Sequence, residues 1–256
     1  MLNFRSVNII FTFLLLLAFG TNLLLTTPWY VYTFILLAWI GALFYGSYFI
    51  NSQFYLKVIC RVETNKKEIA LSFDDGPEQP GTGAILDILF KENVEAAFFC
   101  IGKNIAGNEA LLRRMYSSGH LLGNHSFSHS NLFDLFSSKK MLADLQAMDL
   151  AMEKVIGRRP IFFRPPFGVT NPNLRKAVDA GEYITIGWSV RSLDTVIVSE
   201  KKLLDRVRQI RPGDIILFHD RSETMLSILP EFIRKLKVQG FQIKRLDKLL
   251  NLAPYA

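Results

Sequence analysis

Between Arg5 and Lys57 the chain carries no charged side chain. Two apolar stretches, residues 9–26 and 29–50, fill that interval. Each is close to the ~20 residues that a helix needs to cross a bilayer. Thr26-Thr27-Pro28 separates them, and proline stops a helix because it lacks an N–H and clashes with the preceding turn. Trp29, Tyr30 and Tyr32 flank the break, as aromatics do at a membrane interface. The pattern predicts a two-helix transmembrane hairpin over residues 1–51. A signal peptide fits less well, because no small-x-small cleavage site precedes a polar mature start and a second apolar stretch follows. A buried core hairpin fits less well too, because neither stretch has a polar face.

After a connector at 52–67, with a short edge strand at 56–62, the pattern changes to a regular alternation over 68–256. Strand-like runs fall at 68–73, 95–101, 121–124, 161–163, 183–188, 214–218 and 241–244. Helical patterns fall at 83–91, 104–118, 139–156, 173–180, 200–209 and 224–239. The clearest is 139–156, where Met141, Leu142, Leu145, Met148, Met152, Val155 and Ile156 recur at helical spacing behind the Ser137-Ser138 cap. Gly119, Gly157, Gly181 and Gly240 stand at helix ends, where a left-handed cap is wanted. About seven strands alternating with helices define a parallel α/β domain. A barrel and a doubly wound sheet both satisfy this pattern.

The mean hydropathy of +0.21 is high for 256 residues, and the hairpin accounts for the excess. Of the net charge of +7, Arg5 contributes one and the rest is spread along the chain from Lys57 onward. It suits anionic headgroups or acidic glycans, and without a basic stripe interleaved with aromatics it argues against nucleic acid. Cys60 and Cys100 form no C-x-x-C pair, so no disulfide framework or thiolate metal site is implied. Cys100 lies in an apolar run and reads as core.

The chemistry-bearing residues stand just after the strand-like runs. In a parallel α/β fold the loops after the strands share one rim. His125 and His129 are four apart; set on a helical turn, that spacing puts both imidazoles on one face as a zinc-compatible pair. The segment is not H-E-x-x-H, so a general base must come from elsewhere. Asp74 and Asp75 follow a strand and precede Gly76-Pro77. One carboxylate can complete a three-ligand site with an open position, and the other can take a proton from water. His219, past the apolar run 215–218, is a general-acid candidate. Arg164 can hold a carboxylate by paired hydrogen bonds. His120, at a helix end, has no assigned role.

Ser-Phe-Asp-Asp-Gly-Pro, His-Ser-x-x-His, Arg-Pro-Pro-Phe-Gly, Trp-Ser-x-x-x-x-Asp and Leu-Phe-His-Asp, in this order, resemble the polysaccharide deacetylases, the NodB-homology domain of carbohydrate esterase family 4. The likeness spans residues 69–246 and includes Ala97 to Gly102. The resemblance implies a distorted (β/α) barrel and metal-dependent hydrolysis of acyl groups on sugars. It implies a divalent metal, usually zinc, on Asp75, His125 and His129. Asp74 would be the base, His219 the acid, Arg164 the group positioning Asp74, and Asp194 the group tuning His219. The Phe167 backbone N–H would hold the oxyanion. The chain departs from the family where Arg191 and Thr195 replace an Asp and a Trp, and where Phe167 replaces a Tyr.

The expected protein is a membrane-anchored carbohydrate N-deacetylase with glycan and membrane lipid as partners. A deacylase or deformylase of a lipid-linked sugar is the alternative within the family, and a non-catalytic glycan-binding membrane protein is the alternative outside it. A hairpin places Arg5 and the catalytic domain on one side of the cytoplasmic membrane. Arg5, Lys57, Arg61, Lys66 and Lys67 favour the cytoplasmic face, whereas most members of the resembled family work outside. Both sides stay open.

Overall fold

The computed structural model describes residues 3–256. Helix α1 is Phe4–Asn22 and α2 is Trp29–Tyr48. The first begins five residues before the predicted stretch because Asn3 and Ser6 form a reciprocal capping box. It ends at Asn22, whose Oδ1 accepts from the Thr27 N–H at 2.8 Å. Pro28 is the N-cap of α2. The two helices pair through Trp39 Nε1 donating to Asn8 Oδ1 at 2.9 Å and through stacking of Phe11 on Trp39. Both are long and apolar enough to cross a membrane by length and composition, and only 11% of each is buried.

The rest of the chain is built on a parallel sheet of β1 (Glu68–Asp74), β2 (Ala97–Cys100), β3 (Leu121–Asn124), β4 (Phe162–Phe163), β5 (Ile184–Thr185), β6 (Val190–Arg191) and β7 (Ile215–His219), with β8 (Gln242–Ile243) beside the start of β1. The spatial order is β5-β4-β3-β2-β1-β7-β6. That order decides between barrel and open sheet. Strands β5 and β6 sit at opposite edges, which in a flat sheet would be about 29 Å apart at ~4.8 Å per strand. The chain from Thr185 to Val190 reaches at most about 18 Å. The sheet therefore curls into a half-barrel, open between β5 and β6.

The expected strand at 183–188 is split at this opening. Gly187 leaves the sheet to accept pairing from the connector, its N–H donating to the Ile59 carbonyl at 2.9 Å, and Ser189 N–H rejoins at the Ile215 carbonyl at 3.0 Å. The expected edge strand at 56–62 is reduced to isolated bridges, Ile59 with Ile186 and Arg61 with Asp214.

Helices α3 (Gly81–Lys91), α4 (Glu109–Ser117), α5 (Ser138–Ile156), α6 (Pro172–Gly181), α7 (Glu200–Arg206), α8 (Glu223–Val238) and α9 (Leu246–Leu250) complete the domain. Helix α4 starts later than expected because a 3-10 turn at Gly102–Asn104 precedes it. Gly119, Gly157 and Gly240 have positive φ, as a left-handed cap requires; at the end of α6 it is Glu182, at φ 56°, that takes this position. Gly181 is needed for space instead, since a Cβ there would lie 2.2 Å from the Tyr183 ring.

Ala70, Ala97, Phe99, Leu121, Phe162, Ile186 and Ile215 form one core cluster with Leu246 and Leu249 of α9. Another joins β1, β2 and β7 to α3, α4 and α8. A third merges the hairpin base into the domain, joining Val7, Ile50, Phe54 and Tyr55 to Phe163, Leu174 and Tyr183. The Phe4 N–H donates to the Phe54 carbonyl at 3.1 Å, so the start of α1 and the catalytic domain lie at the same end of the hairpin.

Candidate active site

Parallel register sets the site. Asp74 pairs with His219 across β1 and β7, Asn124 with Cys100 across β3 and β2, and Phe163 with Asn124 across β4 and β3. The residues that end these strands, or follow them by one, therefore emerge on a single rim. There Asp74, Asp75, His125, His129, Phe167 and His219 line a cavity of about 220 Å3, with Trp188 and Arg191 in its wall. A larger cavity, about 590 Å3, lies at the base of the hairpin; the chemistry, not the volume, marks the smaller one.

Asp74 is 3% exposed. Its Oδ1 accepts from Arg164 Nη1 at 2.7 Å. Arg164 is fully buried and spends its other donors on Ser72 Oγ at 2.9 Å, the Gly187 carbonyl at 2.9 Å and the Ile186 carbonyl at 3.4 Å. Its guanidinium lies over the Phe99 ring. Burial pulls the Arg164 pKa down, and the neighbouring Asp74 opposes that. The pair is a desolvated charge-assisted contact in which each guanidinium nitrogen makes a hydrogen bond, so Asp74 has one fixed orientation.

Asp75 has φ 81°, a left-handed backbone, and its carboxylate and that of Asp74 each bring one oxygen to 3.8 Å from His125 Nε2. Asp75 Oδ1 lies 3.8 Å from His125 Nε2 and 3.7 Å from His129 Nε2. One ligand atom from each of the three falls within 4.8 Å of the others. The Nδ1 of His125 is 2.8 Å from the Arg164 carbonyl oxygen. A carbonyl can only accept, so Nδ1 carries a proton and Nε2 is the nitrogen that faces Asp75. Burial, and next the neighbouring His125, pull the His129 pKa down to about 4, which keeps that imidazole neutral. Two imidazole nitrogens and one carboxylate oxygen, too far apart to hydrogen-bond well and with the remaining side open to the cavity, fit a divalent cation of the zinc type.

The histidine segment is not helical. Residues 125–130 form a loop, with Ser126 at φ 65° and His129 at φ 42°. A helix would have needed 3.6-residue continuity that Asn124, still in β3, cannot give. The loop is held from behind by groups the sequence did not single out. Asp144 of α5 accepts from the Phe127 and Ser128 N–H groups at 2.8 and 3.2 Å. Asn124 accepts from Ser126 N–H and donates to Asp149, which in turn accepts from the Tyr183 hydroxyl. Asp144 and Asp149 are five apart on α5; only their polarity within an amphipathic helix hinted at a role.

Across the cavity, His219 Nδ1 lies 2.8 Å from Asp194 Oδ1, and the other Asp194 oxygen accepts from the His219 N–H at 2.9 Å. Ser192 Oγ also donates to Asp194, at 2.6 Å. Burial alone would lower the His219 pKa, but its hydrogen bond to Asp194 and the charges of Asp74, Asp194 and Asp75 together raise it above the usual value. Arg164 and Asp194 thus sit behind the wall and orient Asp74 and His219, which face the cavity. Phe167, at φ 58°, rests against the His129 ring at 4.8 Å between centroids. Gly168 lets Trp188 close on that loop, because a Cβ there would lie 2.4 Å from the indole.

Two further residues complete the surroundings. Asp220 is buried, its N–H donates to the Asp74 carbonyl at 3.1 Å, its carboxyl accepts from Thr82, and burial pushes its pKa up to about 8. A Cβ on Gly76 would strike it, so it backs the Asp-Asp-Gly-Pro turn. His120 is buried, and its Nδ1 accepts from the Ala96 N–H at 3.2 Å; it lies outside the cavity.

A curled parallel β/α half-barrel with carboxylates and imidazoles gathered on its C-terminal rim is the architecture of a carbohydrate deacetylase. A family model described as polysaccharide deacetylase matches residues 61–185. The peptidoglycan-N-acetylmuramic acid deacetylase PdaA of Bacillus subtilis is 32% identical over 192 residues, 73% of this chain and 73% of that protein. The Bc1960 peptidoglycan N-acetylglucosamine deacetylase superposes with a TM-score of 0.73 at 28% identity, over 78% of this chain and 95% of that one. A CE4 family pseudoenzyme from Bacillus anthracis superposes with a TM-score of 0.70 at 30% identity, over 76% of this chain and 69% of that one. The chain belongs to the polysaccharide deacetylase family, hydrolases of N-acetylated sugars.

Proposed function

We propose that this protein is a metal-dependent N-deacetylase of peptidoglycan-type saccharides, anchored to the membrane by α1 and α2. One observation carries the reading. The Asp75–His125–His129 cluster shares one cavity with a carboxylate fixed by Arg164 and an imidazole fixed by Asp194. The fold alone would not suffice, since a pseudoenzyme shares it.

Asp75, His125 and His129 would hold the cation. When bound, a divalent metal, zinc by the donor set, supplies Lewis-acid chemistry that acidifies water and polarises a carbonyl. Asp74, oriented by Arg164, takes the proton from the water that attacks the acetamido carbon. The Phe167 N–H donates to the oxygen that gains charge. His219, protonated and held through Nδ1 by Asp194, gives the Nε2 proton to the sugar nitrogen. The C–N bond then breaks to acetate and a free amine. Membrane anchoring is supported by the outward apolar faces of both helices.

The test is acetate release from N-acetylated peptidoglycan fragments by the purified, zinc-loaded full chain. One free amine should appear per acetate. Zinc-loaded protein that releases no acetate from any such fragment would sink the proposal.

The raised His219 pKa gives a pH prediction. As the acid, His219 must be protonated, so activity falls as pH rises through its pKa. Asp194→Asn weakens the support for the imidazolium and lowers that pKa. The alkaline limb of the kcat/KM profile should therefore move to lower pH. An unmoved alkaline limb would assign it to another group.

A further inference from the structure

The site is bonded to the end of a membrane helix. The loop that brings Phe167 to His129 reaches Thr170 three residues later. There the Thr170 N–H donates to the Ser47 carbonyl at 3.1 Å, and Thr170 Oγ1 donates to the Gly46 carbonyl at 3.1 Å, both in the last turn of α2. Three residues of chain span at most about 11 Å, so Phe167 lies within that distance of Thr170, on the end of the helix. The Trp188 wall is tied to the same place, since Gly187 packs so tightly that a Cβ there would come within 3.3 Å of Ile50 and 3.0 Å of Val58. Around this turn Phe44, Tyr45, Tyr48 and Phe49 are 45–65% exposed. They form an aromatic run, with Phe44 on Tyr48 and Tyr45 on Phe49, of the sort that marks the level of lipid headgroups.

The cavity mouth carries a cation. Arg191 lines the cavity, is exposed, and stands 5.6 Å over the Trp188 ring. It pairs with no carboxylate among the described residues. Arg206 approaches it, donating from Nε to the Arg191 carbonyl at 3.1 Å. Of the residues lining the cavity, Arg191 is the one Arg or Lys. A neutral sugar gives such a group nothing to neutralise, whereas a phosphate offers paired oxygens that match the two-pronged donor fork of a planar guanidinium.

We propose that the substrate is an N-acetylated saccharide joined through phosphate or diphosphate to a membrane-embedded lipid. Arg191 takes the phosphate, and the aromatic end of α2 lies beside the first units of the lipid. This rests on the deacetylase reading and names its substrate. The hairpin then brings enzyme and substrate into one plane, which raises the effective concentration of the sugar at the rim.

The experiment uses the full zinc-loaded chain in lipid nanodiscs and one N-acetylated disaccharide in four forms: free, as a soluble diphosphate, on a polyprenyl diphosphate in the bilayer, and within cross-linked peptidoglycan. Acetate release gives kcat/KM for each. The lipid-linked form should exceed the free disaccharide by about 10²-fold or more, with the soluble diphosphate between them. Arg191→Gln should cut the diphosphate-to-free ratio about tenfold, the usual worth of one charge-assisted contact, and Arg191→Lys should restore part of it. Equal rates on free and lipid-linked sugar, or faster release from cross-linked peptidoglycan, would overturn the inference and leave the deacetylase reading standing. So would a soluble diphosphate as good as the lipid-linked form, or a ratio unmoved in Arg191→Gln. Failure on all four forms would remove both.

Discussion

His125→Ala, His129→Ala and Asp75→Asn should each leave the purified protein without stoichiometric zinc. Each histidine change removes one of three donors that converge within 4.8 Å, and Asp75→Asn replaces the one anionic donor by a neutral, weaker one; two strong donors do not hold a cation in an open tetrahedral site. Activity should fall by more than the ~10²–10³-fold that a single oxyanion donor is worth, because the cation serves both the water and the carbonyl. Metal binding to the native state alone also stabilises it. A chelator should therefore lower the Tm of the unchanged protein and leave the Tm of these variants where it is. Elemental analysis is the deciding measurement. Full zinc content in any of the three would show that the ligand set is wrong.

Asp74→Asn should separate the base from the ligands. Asparagine keeps an oxygen to accept from Arg164 Nη1, so the fold and the zinc should persist. The rate should drop by ~10²–10⁴, the worth of a positioned general base. Zinc loss equal to that in Asp75→Asn would mean the two carboxylates are misassigned. The partner change, Arg164→Leu, should act through stability as well. It leaves Asp74 buried, 4% exposed at the side chain, facing an apolar group in place of a fully buried cation. Breaking such a pair costs about 3–5 kcal/mol, readable as a fall in the denaturant midpoint. An unchanged midpoint would show that solvent reaches Asp74 when Arg164 is gone.

Most strand positions were legible because each is an apolar run closed by a polar residue at a rim. Residues 68–73, 121–124 and 214–218 read correctly to within a residue. The barrel, expected from the family resemblance and found as a half-barrel, was not legible in the strand and helix pattern itself. Nothing local distinguishes β5 from β6 until pairing puts them at opposite edges, and the short link of 186–189 then forces the curl. The His125 and His129 spacing suggested a helical turn, yet both histidines stand in a loop whose shape depends on Asp144, from a helix that follows it in sequence. Asp220 was quoted only as the last letter of a motif; its support of Gly76 exists only after β1 and β7 pair.

The sequence by itself determined which residues carry chemistry and which segments are too apolar to be left in water. Those are one-dimensional properties, set by side-chain type and by periods of 2.0 and 3.6 residues. The tertiary structure alone decided what those residues face. Parallel register placed Asp74 opposite His219. A buried guanidinium reached from β4 to β1. Thr170 fastened the catalytic loop to the last turn of α2. Each joins positions roughly 90 to 145 apart in the chain. Such contacts form only when the sheet has curled and the hairpin base has docked, so no local pattern encodes them.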